Sequence, residues 1–221
     1  NGMVAASVVM WALTANVCTE DYRQSTRSWQ PMKQSFIVDT GTGLIEPARQ
    51  CRSPNRDARP PGEELRLIVL HGISVPPGHF GGPEIEQLFC NCLDWNAHPY
   101  FDEIRGLEVS AHLLVRRDGA VVQFVPFTDR AWHAGDSCFR RQSRCNDYSI
   151  GIELEGEDDV PYEDAQYQVL TSVLAALLRA YPAISAREIA AHSDIAPGRK
   201  TDPGPAFNWL RLYDGLTGQF A

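Results

Sequence analysis

A loop near the end of the chain carries three side chains that can do chemistry together. Residues 191–204 read AHSDIAPGRKTDPG and contain His192, Lys200 and Asp202. The glycines and prolines between them are typical of a loop, and binding residues are common in loops on a rigid scaffold. Imidazole nitrogen and carboxylate oxygen are both zinc ligands. Because the spacing of His192 and Asp202 matches no short metal signature, the loop alone only suggests a metal site.

Two segments far from this loop supply further candidates. Residues 65–70, LRLIVL, form a short apolar run that is typical of a buried strand. His71 follows directly, where it is either a ligand facing a loop or a core histidine bonded to the backbone. Residues 149–154, SIGIEL, predict another strand that contains Glu153. Since glutamate is rarely buried without a partner, Glu153 reaches a cleft or has a charged neighbour.

These residue types fit a hydrolytic zinc site. Catalytic zinc usually has three protein ligands and one open position, and His71, His192 and Asp202 form such a set. Glu153 can take a proton from water, and Lys200 can stabilise charge on a carbonyl oxygen. Spacing alone leaves four competing ligands, which are His79, His98, His112 and His133.

The surrounding patterns predict the elements that position these residues. Apolar spacing predicts helices after Pro83, between residues 163 and 181, and near 207–215. Two apolar arms around Asp118-Gly119 predict a hairpin. Three or four strands interspersed with helices therefore indicate an α/β or α+β fold.

Composition limits the class of protein and its partners. With 20 basic and 28 acidic residues the net charge is −8, which argues against nucleic acid and anionic membrane surfaces as partners. We expect residues 1–38 to be an N-terminal extension, disordered or left from expression, and residues 39–221 to form one domain. The six cysteines include no CxxC pair, so we expect free thiols in a reducing cytosol, with a Cys138–Cys145 disulfide as the open alternative.

Seven stretches, in order along the chain, carry a resemblance to a known family. They are LHGISVPPGHFGGPEIEQLF (70–89), NAHPYF (96–101), VSAHLLVRRDGAVVQFVPF (109–127), RAWHAG (130–135), RCNDYSIGIELEG (144–156), DAQY (164–167) and AHSDIAPGRKTDPG (191–204). The chain resembles the zinc-dependent N-acetylmuramoyl-L-alanine amidases of the amidase-2 type from about Ile45 to Leu216. Within that family it is similar to the bacterial enzymes that recycle 1,6-anhydro-muropeptides.

The resemblance implies a role for each candidate residue. The family's zinc ligands fall on His71, His192 and Asp202, with one Zn²⁺ per chain. Its catalytic glutamate and lysine fall on Glu153 and Lys200. The implied substrate-binding residues are Arg144, which would meet a peptide carboxylate, and Tyr100, His112 and Trp132, which would line the groove. The implied fold is a mixed central β-sheet flanked by helices, shared with peptidoglycan-recognition proteins. The implied protein is a cytoplasmic monomer whose partner is an anhydromuropeptide.

Two departures from the family pattern affect substrate preference more than reaction type. Gly72 stands where relatives usually have asparagine, and Glu108 stands where a basic or neutral residue is expected. Two alternatives remain open. One is an envelope amidase that acts on polymeric peptidoglycan, and the other is a non-catalytic peptidoglycan-binding protein.

Overall fold

The computed structural model describes residues 35–220, which are built around a six-stranded mixed sheet. The strands of this sheet are β3 (Arg49–Gln50), β5 (Leu67–Ile73), β6 (Leu113–Val115), β7 (Val121–Gln123), β11 (Ser149–Glu155) and β12 (Ile189–Ala191), in the spatial order β12-β5-β11-β6-β7-β3. Three antiparallel pairs complete the strands: β1 (Ile37–Asp39) with β2 (Leu44–Glu46), β4 (Arg56–Ala58) with β8 (Asp129–Ala131), and β9 (Cys138–Phe139) with β10 (Gln142–Ser143).

Three adjacent parallel strands align the candidate residues in one row. β11 runs parallel to β5 with Glu153 opposite His71. β12 runs parallel to the other side of β5 with Ala191 opposite Leu70, so His192 follows level with His71. Because parallel strands end at the same edge of a sheet, residues distant in sequence meet there.

Residues 35–220 also contain four α-helices and three short 3-10 helices. The α-helices are α1 (Glu84–Phe89), α2 (Asp164–Ala180), α3 (His192–Ile195) and α4 (Trp209–Thr217), and the 3-10 helices are Pro99–Asp102, Cys145–Asp147 and Ala186–Glu188. A capping box between Glu163 and Gln166 begins α2, and the helix ends just before Pro182, which has no N–H to continue it.

The two faces of β5 and β11 enter different hydrophobic clusters. Ile150, Ile152 and Leu154 pack in the main core with the apolar stripe of α2, as their alternation predicts. On the other face, Leu67 and Val69 join a smaller cluster that contains Tyr148, Ala190 and Ile195. His71 and Glu153 continue this second face towards the strand ends. The main core therefore fixes the strands, while the smaller cluster lies beside His71 and Glu153.

The predicted fold class is confirmed, but the described residues contain twelve strands, where three or four were expected. The predicted hairpin is β6 and β7, which pair antiparallel. β5 begins at Leu67 and continues to Ile73, so His71 lies inside the strand and not at its end. The reason is tertiary, because β11 pairs with β5 as far as Glu155 opposite Ile73.

The N-terminal extension lies mostly outside the described residues, and the folded domain begins earlier than residue 39. Phe36 is buried in the main core, and β1 pairs with β2, so residues 36–38 belong to the domain. Cys138 is exposed and Cys145 is buried, and no disulfide joins them. Among residues 35–220, none of the helices has the length and hydropathy needed to span a bilayer.

Candidate active site

Three ligand atoms converge at the aligned ends of β5 and β12. The Nδ1 atoms of His71 and His192 are 2.9 Å apart. Asp202 Oδ2 lies 3.0 Å from Nδ1 of His192 and 3.3 Å from Nδ1 of His71. Within the described part of the chain, these three residues form the group whose atoms can hold a metal ion.

Backbone contacts fold the loop after α3 so that Asp202 returns to His192. The Ser193 amide donates to the Asp202 carbonyl at 3.1 Å. The Tyr162 hydroxyl donates to the carbonyl of Pro203 at 3.0 Å. Gly204 has φ +80°, and a Cβ there would lie 2.1 Å from Asp158 Cα, so the close approach requires glycine. The glycines and prolines of this loop thus position the third ligand.

The outer ring nitrogens of both histidines have hydrogen-bond partners. His192 Nε2 lies 3.3 Å from the Ala134 carbonyl, which can only accept, so Nε2 carries the proton. His71 Nε2 lies 2.9 Å from Nδ1 of His133, and His133 Nε2 lies 3.2 Å from Ser149 Oγ. A chain His71–His133–Ser149 therefore lies behind the site. Orienting contacts of this kind are usual for metal-binding histidines.

Glycine at position 151 makes room for this chain. A Cβ on Gly151 would lie 2.4 Å from Cγ of His133, inside contact distance. β11 therefore passes directly against the imidazole ring. His133 had competed with the other histidines as a ligand, and the structure places it behind His71, with a ring nitrogen on the outer nitrogen of that ligand.

The three converging atoms fit a tetrahedral metal ion. Zinc bonded at about 2.0–2.2 Å separates its ligand atoms by roughly 3.3–3.6 Å, close to the observed 2.9, 3.0 and 3.3 Å. The outer proton on His192 leaves a lone pair on its Nδ1, facing the carboxylate of Asp202. Lone pairs and a carboxylate converging within 3.3 Å repel one another unless a cation lies between them. Two imidazoles and one carboxylate are a usual ligand set for zinc.

Glu153 is a buried carboxylate with an unused acceptor. It is 8% exposed, and its Oε2 has no hydrogen-bond partner. Burial raises its pKa well above the usual value, the nearby Asp202 raises it further, and Lys200 lowers it. A desolvated carboxylate beside a cavity is suited to accept and return a proton.

Two of the three ligands, His71 and Asp202, have pKa values shifted towards their unprotonated forms. Burial lowers the pKa of His71 to about 4, although the hydrogen bond with Asp202 opposes this shift. In the metal-free site, burial alone would raise the pKa of Asp202, but the hydrogen bonds that His192 and His71 donate to it when they are protonated outweigh burial and hold that pKa well below the usual value. A metal ion requires these forms, because only unprotonated nitrogen and oxygen coordinate it.

One cavity of about 660 Å³ is lined by all five residues predicted to do the chemistry. The exposed Lys200 stands on its wall near Glu153, whose pKa it lowers. Tyr100 and Trp132 also line the cavity. Because its wall combines apolar rings with charged groups, the cavity suits a ligand with both characters.

Arg144 and His112 lie outside the lining of this cavity. The Arg144 side chain is 70% exposed, and its Nε contacts Asp147 Oδ2 at 2.9 Å. His112 is fully buried, and its Nδ1 accepts from the Gly151 amide at 3.0 Å. Their substrate-binding roles stay predictions. Of the two departures from the family pattern, Gly72 lines the cavity, whereas Glu108 is exposed and does not.

Arg59, which is not among the residues predicted from the sequence, supports the site from behind. Its guanidinium donates to the carbonyls of Phe127, Asn146, Asp147 and Ser149 at 2.9–3.1 Å, and Nη2 lies 2.9 Å from His112 Nε2. Burial lowers the pKa of Arg59 to about 10. The residue ties the start of β11 to the neighbouring loops. No local pattern indicated it, because an arginine in a polar, proline-rich segment is usually solvated.

Comparison with known proteins places this geometry among amidases. Residues 61–205 match the profile of the N-acetylmuramoyl-L-alanine amidase family. The 1,6-anhydro-N-acetylmuramyl-L-alanine amidase AmpD of Enterobacter cloacae is 57% identical over 175 residues, which cover 79% of this chain and 93% of that protein.

Two solved structures share the fold. A crystal structure of a selenomethionine AmpD derivative superposes with a TM-score of 0.78 at 54% identity, covering 81% of this chain and 99% of that one. AmpDh3 of Pseudomonas aeruginosa in complex with anhydromuramic pentapeptide gives a TM-score of 0.52 at 30% identity, covering 73% of this chain and 64% of that one.

Proposed function

Because the chain belongs to the N-acetylmuramoyl-L-alanine amidase family, we propose that it hydrolyses the amide between N-acetylmuramic acid and L-alanine in muropeptides. The preferred substrate is the 1,6-anhydro form, the substrate named for the AmpD relative that is 57% identical. The observation that carries the proposal is the convergence of three ligand atoms within 3.3 Å, in a cavity that Glu153 also lines and to which it brings a buried Oε2 without a hydrogen-bond partner. The chain is thus an amide hydrolase that acts in peptidoglycan recycling.

His71, His192 and Asp202 would hold one zinc ion per chain. The bound ion would supply Lewis acidity, which polarises the scissile carbonyl and makes water acidic enough to attack near pH 7. The carbonyl of Ala134 and the ring of His133 keep the outer protons of the two histidines in place. The inner nitrogens are thereby left free for the metal.

Glu153 moves the proton in this reaction. Its buried carboxylate accepts a proton from the attacking water and returns it to the departing amine of L-alanine. Its raised pKa suits both steps, because a weakly acidic carboxyl group takes up the proton and holds it until the amine leaves. The ammonium group of Lys200, on the cavity wall, stabilises the negative oxygen that forms as the carbonyl is attacked.

The cavity wall orients the substrate. Tyr100 and Trp132 present rings to one side of the cavity, and we assign them to the sugar and the first residues of the peptide. Arg144 and His112 lie outside the wall of the cavity. They can take part in substrate binding only if the substrate extends beyond the cavity, or if they act through residues that contact it.

A non-catalytic peptidoglycan-binding protein is the second candidate, and the complete ligand set argues against it. Burying a carboxylate beside three metal ligands costs stability. A protein that only binds peptidoglycan does not need that carboxylate, whereas a hydrolase uses it to move a proton. An envelope amidase would share the chemistry and differ only in its substrate. A cytoplasmic location and a monomeric state remain predictions.

The test compares two substrates on the zinc-loaded protein. Chromatography follows release of peptide from 1,6-anhydro-N-acetylmuramyl-tripeptide and from the same compound without the anhydro ring. We expect rapid release from the anhydro form and much slower release from the other. Equal cleavage would keep the amidase chemistry and overturn the preference. Binding of both without cleavage by protein that contains zinc would overturn the catalytic proposal.

A further inference from the structure

Two cysteines away from the active site lie in direct contact. Sγ of Cys51 and Sγ of Cys90 are 3.3 Å apart, although 39 residues separate them in the chain. Cys51 follows β3, and Cys90 follows the last residue of α1. Both are half-buried against the hydrophobic cluster that contains Phe89 and Phe124. Since a disulfide has a sulfur separation of about 2.05 Å, the two atoms need to approach by only about 1.2 Å.

Hydrogen bonds fix both backbones beside this contact. The Cys51 amide donates to the Gln123 carbonyl at 2.9 Å, and the Cys90 amide donates to the Glu86 carbonyl at 2.9 Å. Ser53 Oγ donates to the Phe89 carbonyl at 2.5 Å. These bonds hold the two backbones in place while the sulfur atoms lie 3.3 Å apart.

A pair of asparagines closes the same junction. Asn55 and Asn91 exchange two side-chain hydrogen bonds, each of 2.8 Å. Residues 51–55 and 89–91 are thus joined at several points, and the cysteines sit at one end of the junction. A covalent bond here would connect segments that are already held together, so it would add stability and leave the fold unchanged.

The surroundings favour Cys51 as the attacking thiol. The hydrogen bond from Cys90 lowers the pKa of Cys51, and the nearby Arg49 acts in the same direction, while burial and Glu86 oppose it. A thiolate is the nucleophile in thiol–disulfide exchange. Cys51 is therefore the thiol expected to attack first, with Cys90 in reach of its sulfur.

We propose that Cys51 and Cys90 form a site of reversible oxidation, at which glutathione disulfide converts the two thiols into an intramolecular disulfide. In the first step the Cys51 thiolate attacks glutathione disulfide, which forms a mixed disulfide and releases one glutathione thiolate. In the second step the Cys90 thiol loses its proton and its sulfur attacks Sγ of Cys51, which releases the second glutathione. Two protein thiols are oxidised, and one glutathione disulfide is reduced to two glutathione molecules.

The bond would stabilise the wall of the cavity. Leu88 and Phe89, at the end of α1, line the cavity, and the disulfide would tie that end to the segment after β3. Closing a loop of 39 residues in the unfolded chain should raise the melting temperature by roughly 5–15 °C. The metal ligands lie outside the junction, so the zinc content should not change.

The experiment equilibrates the zinc-loaded protein in glutathione buffers of increasing oxidised fraction, quenches with acid and maps the peptides by mass spectrometry. We expect one crosslink, between the peptides that carry Cys51 and Cys90, that disappears on adding dithiothreitol. Cys90→Ser should instead accumulate glutathione on Cys51. Cys92→Ser is the matched control, because Cys92 is exposed, lies two residues from Cys90 and should leave the crosslink unchanged.

Each other outcome overturns the proposal. A crosslink from Cys90 to Cys92, or stable glutathione on wild-type Cys51, would show that the contact does not close. A crosslink without a rise in melting temperature would refute the stabilising role. Should a serine variant fail to fold, the peptide map and melting curve of the wild-type protein still decide the question. None of these readouts depends on amidase activity.

Discussion

The predicted effect of removing His133 tests the chain of contacts behind the metal site. In the variant His133→Ala, Nε2 of His71 loses its partner at 2.9 Å. His71 can then place its proton on either nitrogen, and the ring can rotate. Loss of such an orienting partner typically weakens metal binding by about 10- to 100-fold. This corresponds to about 1.4–2.7 kcal/mol of binding free energy.

The assay is a zinc competition titration against a chromophoric chelator at pH 7.5. It reports the dissociation constant directly and needs no substrate. The matched control is His112→Ala, since His112 is also a buried histidine, its ring lies 5.8 Å from that of His133, and its hydrogen bonds go to residues other than the ligands. We expect it to lower thermal stability while leaving the zinc dissociation constant within about threefold.

A partial rescue separates orientation from packing. In His133→Asn, the amide oxygen can take the position of Nδ1 and accept the proton of His71. We expect zinc affinity between that of the alanine variant and that of the wild-type protein. If His133→Ala binds zinc as tightly as wild type, or if asparagine restores nothing while the fold is intact, the proposed role of His133 is wrong.

Two further predictions concern protons. Glu153→Gln keeps the shape of the side chain and removes the proton acceptor, so we expect kcat to fall by about 10²- to 10⁴-fold at unchanged zinc content. Chromatography measures the turnover, and metal analysis measures the zinc content. Turnover near the wild-type rate would contradict the role assigned to Glu153. The zinc-free protein should lose stability in weak acid, because burial lowers the pKa of His71 to about 4 and holds those of His112 and His133 below the usual value. The unfolded chain takes up these protons below about pH 6.5, whereas the native state resists them, so the stability is complete above that pH and is lost as the pH falls towards 4. Three such groups give a slope of about 2–4 kcal/mol per pH unit between pH 6 and 5. Urea midpoints at pH 7, 6 and 5 measure this, and equal midpoints would refute it.

Local patterns were sufficient for the long elements that carry the site, but not for the short strands β1–β4 and β8–β10. The alternation in residues 149–154 predicted β11 and the face on which Glu153 lies. The apolar stripe and Pro182 predicted α2 to within one residue at either end. Both are properties of neighbouring residues, since periodicity sets which face is buried and proline removes a backbone donor. The same reasoning placed the end of β5 too early, because pairing with β11 extends that strand.

Local patterns could not distinguish the proposed metal-binding histidines from the other histidines. Six histidines are present, and residue spacing alone treated His133 as equal to the proposed ligands. What distinguishes them is the register of β11 and β5, which sets Glu153 beside His71, and the return of the loop that carries Asp202 to His192. Arg59 was missed for the same reason, as its partners all lie at least 68 residues further along the chain or belong to His112.

The residue types of the site, the strand and loop character of the segments that carry them, and the family could all be predicted from the sequence. These follow from side-chain chemistry and from interactions between near neighbours in the chain. The meeting of His71 and His192, which are 121 residues apart and bring their Nδ1 atoms to 2.9 Å, and the place of His133 behind them are visible only in the folded domain. Strand register and core packing, which are set by contacts across that domain, determine which ring nitrogen faces the cavity and which faces a hydrogen-bond partner.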